Sequence, residues 1–280
     1  MRVKKSLGST CSISSPLTQI LRLLAIFRAI MRRSRFKSYK MNSFLNTLMY
    51  LDKVIYWRAR FGKFLILARL PSGLYILQPN EPGAFNLLEH IQVCKIYTWP
   101  CEIEKNDIVI DCGAHVGIFS LEVARKAQKV IAIEPHPLNY KLLKLNVTLN
   151  ELNNVITLPV ALWEKDHRWL KLYVAETSVS HTIKPNMLGS ARYIYVPSMC
   201  LDSVLSKCNL DRVDMIKVDV EGAELQVLKG GKEALRLAKY VVIEAHYQRG
   251  STDFNNIIRL LIKFGFKIYL MNNLIYAFKV

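Results

Sequence analysis

The stretch "VIDCGAHVGIFSLEVA", residues 109–124, is an apolar run ending on an acid, followed by two glycines four residues apart and then a helix-like sequence. An aspartate at the end of a buried strand is expensive unless a partner satisfies it. Two familiar ligand loops are excluded by what is missing. A triphosphate-binding loop needs G-x-x-x-x-G-K-[ST], and no lysine follows Gly117. A dinucleotide loop needs G-x-G-x-x-G, and Ala114, His115 and Ile118 do not supply those glycines. What remains is D-x-G-x-x-x-G, over Asp111, Gly113 and Gly117.

Working outward, apolar strands alternate with amphipathic helices. "IVIDC" (108–112), "VIAIEP" (130–135), "VITLPVAL" (155–162), "DMIKVDV" (214–220) and "YVVIEAH" (240–246) read as five strands. Helical patterns lie between them, including "PLNYKLLKLNVTLNEL" (137–152), and "FKIYLM" and "IYAFKV" flank a turn at Asn272-Asn273-Leu274. Such alternation predicts a parallel sheet covered on both faces. The expected fold is α/β, a Rossmann-like and mostly parallel seven-stranded sheet closed by a C-terminal antiparallel hairpin. The insertion 163–212 is expected to add strands near the ligand crevice through "WLKLYVA" and "YIYVPSM". "FLILARLPSGLYILQ" (64–78) reads as two strands about a Pro-Ser-Gly turn.

Charge divides the chain differently. Residues 1–70 hold fifteen Lys/Arg and one acid, Asp52, whereas the other 210 residues hold 24 bases and 21 acids. Residues 1–59 therefore read as a basic extension, 60–107 as a hairpin and helix, and 108–280 as the core of one domain spanning 60–280. Within residues 17–37, Leu17, Ile20, Leu21, Leu24, Phe27 and Met31 share one helical face, apart from Arg22, Arg32 and Arg33. That pattern suits peripheral contact with an anionic membrane surface. An organelle transit peptide and a helix docked on the domain are the alternatives. No apolar stretch there is long enough to span a bilayer. The six cysteines form no C-x-x-C pair, so no zinc site is expected and a reduced, cytoplasmic setting is the simplest reading. "NVT" (146–148) is a formal glycosylation acceptor inside a helical stretch.

In a doubly wound sheet, ligands bind where the strands end. Gly113 allows close backbone approach, Gly117 opens a helix whose free N–H groups favour a carboxylate, and Asp111 suits a cationic amine. Glu134 follows Gly113 by 21 residues, near the spacing at which an acid receives ribose hydroxyls. A ligand joining an amino-acid tail to a nucleoside, such as S-adenosylmethionine, fits that set. Ala114, His115, Pro135, Ala161 and Asp219 complete the expected cofactor-binding residues. Asp219, Glu221, Glu244 and His246 at the last two parallel strand ends are the expected catalytic group. His246 or Asp219 is the nominated general base, with Glu221 and Glu244 orienting. Glu221 and Glu224 also suit the start of a helix. No spacing requires a metal, although the four catalytic candidates could cradle Mg²⁺.

With these residues in view, the sequence resembles the FkbM-type methyltransferases. "VIDCGAHVGIFS", "VIAIEPHPLN", "LNVTLNELNNV", "LDSV", "DMIKVDVEGAELQVLKG" and "VVIEAH" follow that family's order and spacing over roughly residues 60–280. The family usually carries Asn where this chain has His115. The resemblance implies a class I enzyme using S-adenosylmethionine, typically for O-methylation, here of a hydroxyl on a small molecule, glycan or lipid-linked sugar. Two other functions remain open to the sequence: a non-catalytic membrane-surface or partner-binding protein, and an RNA methyltransferase using the basic arm. Nucleic acid is the less expected partner, because the domain itself is nearly neutral. Nothing in the pattern fixes an oligomeric state.

Overall fold

A computed structural model describes residues 50–51, 54–58, 64–69, 72–79, 94–184 and 192–279. The amphipathic pattern of residues 17–37 lies outside them. The central element is a seven-stranded sheet built from β5 (Ile108–Cys112), β6 (Lys129–Ile133), β7 (Val155–Leu158), β11 (Val213–Val218), β12 (Ala238–Glu244), β13 (Lys267–Met271) and β14 (Leu274–Phe278). Their spatial order is β13-β14-β12-β11-β5-β6-β7. The five strands from β12 to β7 are parallel, and β14 pairs antiparallel with both β12 and β13. This is the Rossmann-like, mostly parallel seven-stranded sheet with a C-terminal antiparallel hairpin that the sequence predicts, the hairpin turning at Asn272 and Asn273.

The apolar runs are continuous because both faces of the sheet are covered. On one side Ile110, Ile131, Ile216 and Val241 pack with side chains from α4 (Leu201–Cys208), α5 (Glu224–Lys229), α6 (Lys232–Leu237) and α7 (Thr252–Lys263). On the other, Val109, Val130, Met215, Tyr240 and Val242 meet Tyr97 of α1 (Cys94–Thr98) and Phe119 and Val123 of α2 (Ile118–Ala124). The period of two along each strand sorts neighbouring residues into these two cores.

"VITLPVAL" does not form one strand. The chain leaves the large sheet at Leu158 and enters a second sheet as β8 (Ala161–Leu162), with Pro159 and Val160 between. Proline has no N–H to give a ladder, and the pairing of the edge strand β7 with β6 ends just before it, at Leu158. In the second sheet β8 pairs parallel with β10 (Tyr193–Met199), which pairs antiparallel with β9 (Trp169–Tyr173). The insertion thus supplies the extra strands expected of it. A third, four-stranded sheet comprises β1 (Tyr50–Leu51), β2 (Val54–Arg58), β3 (Phe64–Arg69) and β4 (Tyr75–Pro79), the last two being the strands about Pro-Ser-Gly.

α3 (Pro137–Leu149) docks on β4 through asparagine side chains. Asn146 is fully buried, accepts from Leu77 N–H and donates to the carbonyls of Leu77 and Val116. A side chain so committed cannot carry a glycan in the folded chain. Among the described residues, Cys101, Cys112, Cys200 and Cys208 are free thiols, and no helix is long and apolar enough to cross a membrane.

Candidate functional site

One cavity of about 360 Å³ opens at the carboxyl ends of the parallel strands, where the doubly wound architecture places ligands. Its wall includes Gly113, Ala114, His115, Glu134, Pro135, Ala161, Asp219, Glu221 and Glu244. Nine of the residues expected from sequence therefore share one wall. The strand order sets their spacing. Glu134 follows β6, the glycine loop follows β5, and Asp219, Glu221 and Glu244 belong to the β11 and β12 side. Leu162 and Leu172 of the second sheet line the same cavity.

The glycine loop is pressed against the loop after β11. A Cβ on Gly113, whose φ is +83°, would lie 1.8 Å from the Asp219 carbonyl oxygen. Only glycine permits both that conformation and that approach. Gly113 and Ala114 donate their N–H groups to the Ile133 carbonyl at 3.0 and 2.9 Å, and Asp219 N–H donates to the Cys112 carbonyl at 3.0 Å. Gly117 is placed otherwise than the sequence suggests. It starts α2 at φ +95°, and a Cβ there would lie 2.5 Å from Leu143 Cδ1, so it serves helix packing and does not line the cavity.

Asp111 also stands apart from the cavity wall. It is fully buried, with Oδ2 accepting from Ser120 Oγ at 2.6 Å and Oδ1 from Lys217 Nζ at 3.2 Å. The cationic amine expected beside Asp111 is thus supplied by the chain itself. Register explains it: Lys217 of β11 lies opposite Asp111 of β5 in the parallel ladder. Lys217 further donates to the Gly113 carbonyl at 3.3 Å and pairs with Asp219 at 3.4 Å. Burial alone would lower its ammonium, but Asp111 and Asp219 outweigh that and hold it above the ordinary lysine range. The sequence reading passed over Lys217, although a lysine inside an apolar central strand needs a buried partner and was a usable signal.

Glu134 is held by two backbone donors, His115 N–H at 2.9 Å and His136 N–H at 2.8 Å. Burial pushes its carboxyl up to about 7 against those hydrogen bonds. His115 adopts φ +52°, a left-handed conformation that Asn and His tolerate better than most residues, which accounts for either side chain at this point. Its Nε2 lies 2.9 Å from Ser178 Oγ, and burial lowers the ring to about 3, so it is neutral. Asn139 Nδ2 donates to the Ser178 carbonyl, which ties the insertion to α3 as well. Asn139 Oδ1 and His115 Nδ1 are buried here without a hydrogen-bond partner among the described residues.

The acid cluster is organised around His246. Its Nδ1 lies 2.9 Å from Oε1 of the fully buried Glu224, and its Nε2 lies 3.3 Å from Glu221 Oε2. Burial would lower the His246 ring, but the Glu224 hydrogen bond and the charges of Glu221, Glu224 and Asp219 push it up to about 9. His246 is therefore a cation at neutral pH in this arrangement, which removes it from the part of general base. Burial pushes Glu221 up to about 7 despite that cation, and its backbone is held at φ +52°. Glu244 accepts from Tyr97 Oη at 2.5 Å and from Asn273 Nδ2 at 2.7 Å. Ligand atoms of Asp219, Glu221 and His246 all lie within 4.8 Å of one another, a grouping that could hold a metal ion.

Comparison with known proteins identifies the family. A family model described as the methyltransferase FkbM domain matches residues 111–268, more than half of the chain. Methyltransferase sdnD of Sordaria araneosa is 31% identical over 186 residues, covering 54% of this chain and 72% of that protein. The hexuronic acid methyltransferase AglP of Haloferax volcanii is 28% identical over 160 residues, covering 57% of this chain and 63% of its own length. The crystal structure of methyltransferase FkbM from Methylobacillus flagellatus KT is 20% identical, with a TM-score of 0.48, covering 64% of this chain and 45% of that one.

Proposed function

Because this chain belongs to the FkbM methyltransferase family, we propose that it transfers a methyl group from S-adenosylmethionine to a hydroxyl oxygen of a small molecule or glycan. The observation that carries the reading is the single cavity joining the glycine loop and Glu134 to the Asp219–Glu221–Glu244 group. The residues present fit the cofactor. Glu134 suits ribose hydroxyls, since its carboxylate is already oriented by two backbone donors. Pro135, Val160, Leu162 and Ile133 offer apolar surface beside it for a base, and the orphaned Asn139 Oδ1 offers an acceptor for an exocyclic amine.

When bound, S-adenosylmethionine supplies an electrophilic methyl on a sulfonium. The chain's own task is to hold a hydroxyl in line with it and take its proton. Positioning of this kind is worth about 7–11 kcal/mol at its best, against a base's roughly 10²–10⁴-fold. Glu221 is the base this geometry supports, with the His246 cation orienting it and Glu224 anchoring His246. Tyr97 and Asn273 hold Glu244 beside them. Acceptor choice is assigned to the second sheet, because Leu172 and the following Val179 and Ile183 face the same cavity.

Cell extracts incubated with the protein and methyl-labelled cofactor, then resolved by mass spectrometry, test the proposal. Label on a hydroxyl oxygen supports it. Label on nitrogen, carbon or RNA, or no binding of the cofactor at all, overturns it.

A further inference from the structure

The geometry points to Lys217 as a positioning residue for cofactor binding: it holds the Asp219 carboxylate and the Gly113 carbonyl in the cavity wall, where together they receive the ammonium of the cofactor's amino-acid tail. This rests on the cofactor proposed above and adds the residue that prepares its site. Three observations carry it. First, Asp111 is spent on Ser120 and Lys217, so Asp219 is the carboxylate left for a ligand at the β5–β11 loops. Second, the three Lys217 contacts, 3.2 Å to Asp111, 3.3 Å to the Gly113 carbonyl and 3.4 Å to Asp219, match the three protons of an ammonium. Third, Lys217 is 4% exposed, with Nζ 5.1 Å from the Tyr97 ring centroid and 5.8 Å from that of Phe119, a setting that fixes its head in place.

The other charges around Asp219 show why it needs this partner. Glu244 and His246 face it from the end of β12, Glu221 and Glu224 from the turn and helix after β11, and Tyr97 from α1. His246 is the one cation among them, and it is bonded to Glu221 and Glu224. Burial already raises the Asp219 carboxyl, and Lys217 is the largest influence lowering it. Removal of Lys217 leaves the Asp219 carboxylate without the group that holds it beside the Gly113 carbonyl, so the two no longer form a prepared seat for an ammonium.

The test is isothermal titration of the full chain with S-adenosylhomocysteine between pH 6 and pH 8.5, which needs no acceptor. Lys217→Met alone strands Asp111 as a buried, unpaired charge and endangers the fold, so the informative variant is Lys217→Met/Asp111→Asn, which removes both charges together. It is expected to unfold cooperatively in urea yet bind about tenfold more weakly at pH 7, the loss of one charge-assisted contact. Asp219→Asn should cost affinity in the wild type and little more in the double variant at pH 7, because both changes act through one carboxyl. A wild type that does not bind refutes the cofactor reading itself. A wild type that binds, with a double variant that matches it at every pH or with losses that simply add, refutes the part given to Lys217.

Discussion

Replacing Gly113 by alanine asks the β5 and β11 loops to share space they do not have. The new Cβ would meet the Asp219 carbonyl oxygen at 1.8 Å and its carbon at 2.9 Å, both backbone atoms that cannot rotate away. Ordinary contact begins near 3.4 Å, so one loop must retreat by more than an ångström. Alanine at φ +83° also costs about 1–2 kcal/mol in conformational strain. Overpacking adds about 1–3 kcal/mol. The sum, about 2–5 kcal/mol, is a large share of a domain's stability. Gly250 provides the control, with φ +82° and nothing within 4 Å of its would-be Cβ. Gly250→Ala carries the strain without the collision. Urea unfolding of both variants, beside titration with S-adenosylhomocysteine, separates the two contributions. Gly113→Ala should lose at least about 1 kcal/mol more than Gly250→Ala and bind far more weakly, since the retreat displaces Asp219. Equal losses in the two variants, or unchanged affinity in Gly113→Ala, would refute the close-contact argument.

Four further outcomes are expected. Glu134 has a carboxyl raised to about 7 when folded, so its contribution to stability is full below about pH 4.5 and is lost as pH rises through 7. Glu134→Gln should therefore lose less stability than the wild type between pH 5 and pH 8 in urea melts, while binding the cofactor more weakly. The His246 ring, raised to about 9, contributes stability that is present below about pH 6.5 and lost as pH climbs through 9. An NMR titration should show that late midpoint, and Glu224→Gln should move it down; a midpoint at or below 6.5 in the wild type contradicts the ion-paired geometry. Once an acceptor is known, Glu221→Gln should lower turnover about 10²–10⁴-fold with affinity for S-adenosylhomocysteine nearly unchanged, and a comparable loss in affinity would make Glu221 a binding group instead. Chelation by EDTA should leave that affinity as it is, because the His246 cation already balances the carboxylates; a marked fall would give the Asp219–Glu221–His246 grouping to a metal.

The sheet was legible because its inner parallel strands β5, β6, β11 and β12 are covered on both faces and so are written as apolar runs, with a polar residue where they meet the crevice. Glu134, Asp219, Glu221 and Glu244 stood out for that reason. Asp111 followed the same rule yet turned inward, since the residue that pairs with it sits on a neighbouring strand 106 positions later, and only register reveals the pairing. His246 was read as a base because sequence shows a histidine near acids but not which nitrogen meets which carboxylate. Pro159 was the visible sign that "VITLPVAL" divides, and α4 was missed because eight residues hold too few turns for periodicity to register.

The interlocked β5 and β11 loops have a consequence for how this protein opens. Binding loops are commonly drawn from the least stable parts of a fold. Here the amides of Gly113, Ala114 and Asp219 are tied to carbonyls of the central strands, and Gly113 is packed directly against the Asp219 carbonyl. Those amides should belong to the slowest hydrogen-exchange class, released with the whole sheet and not by local fraying. Faster exchange is expected in the second sheet, whose Leu172 lines the same cavity, and that contrast would locate the side of the cavity that moves.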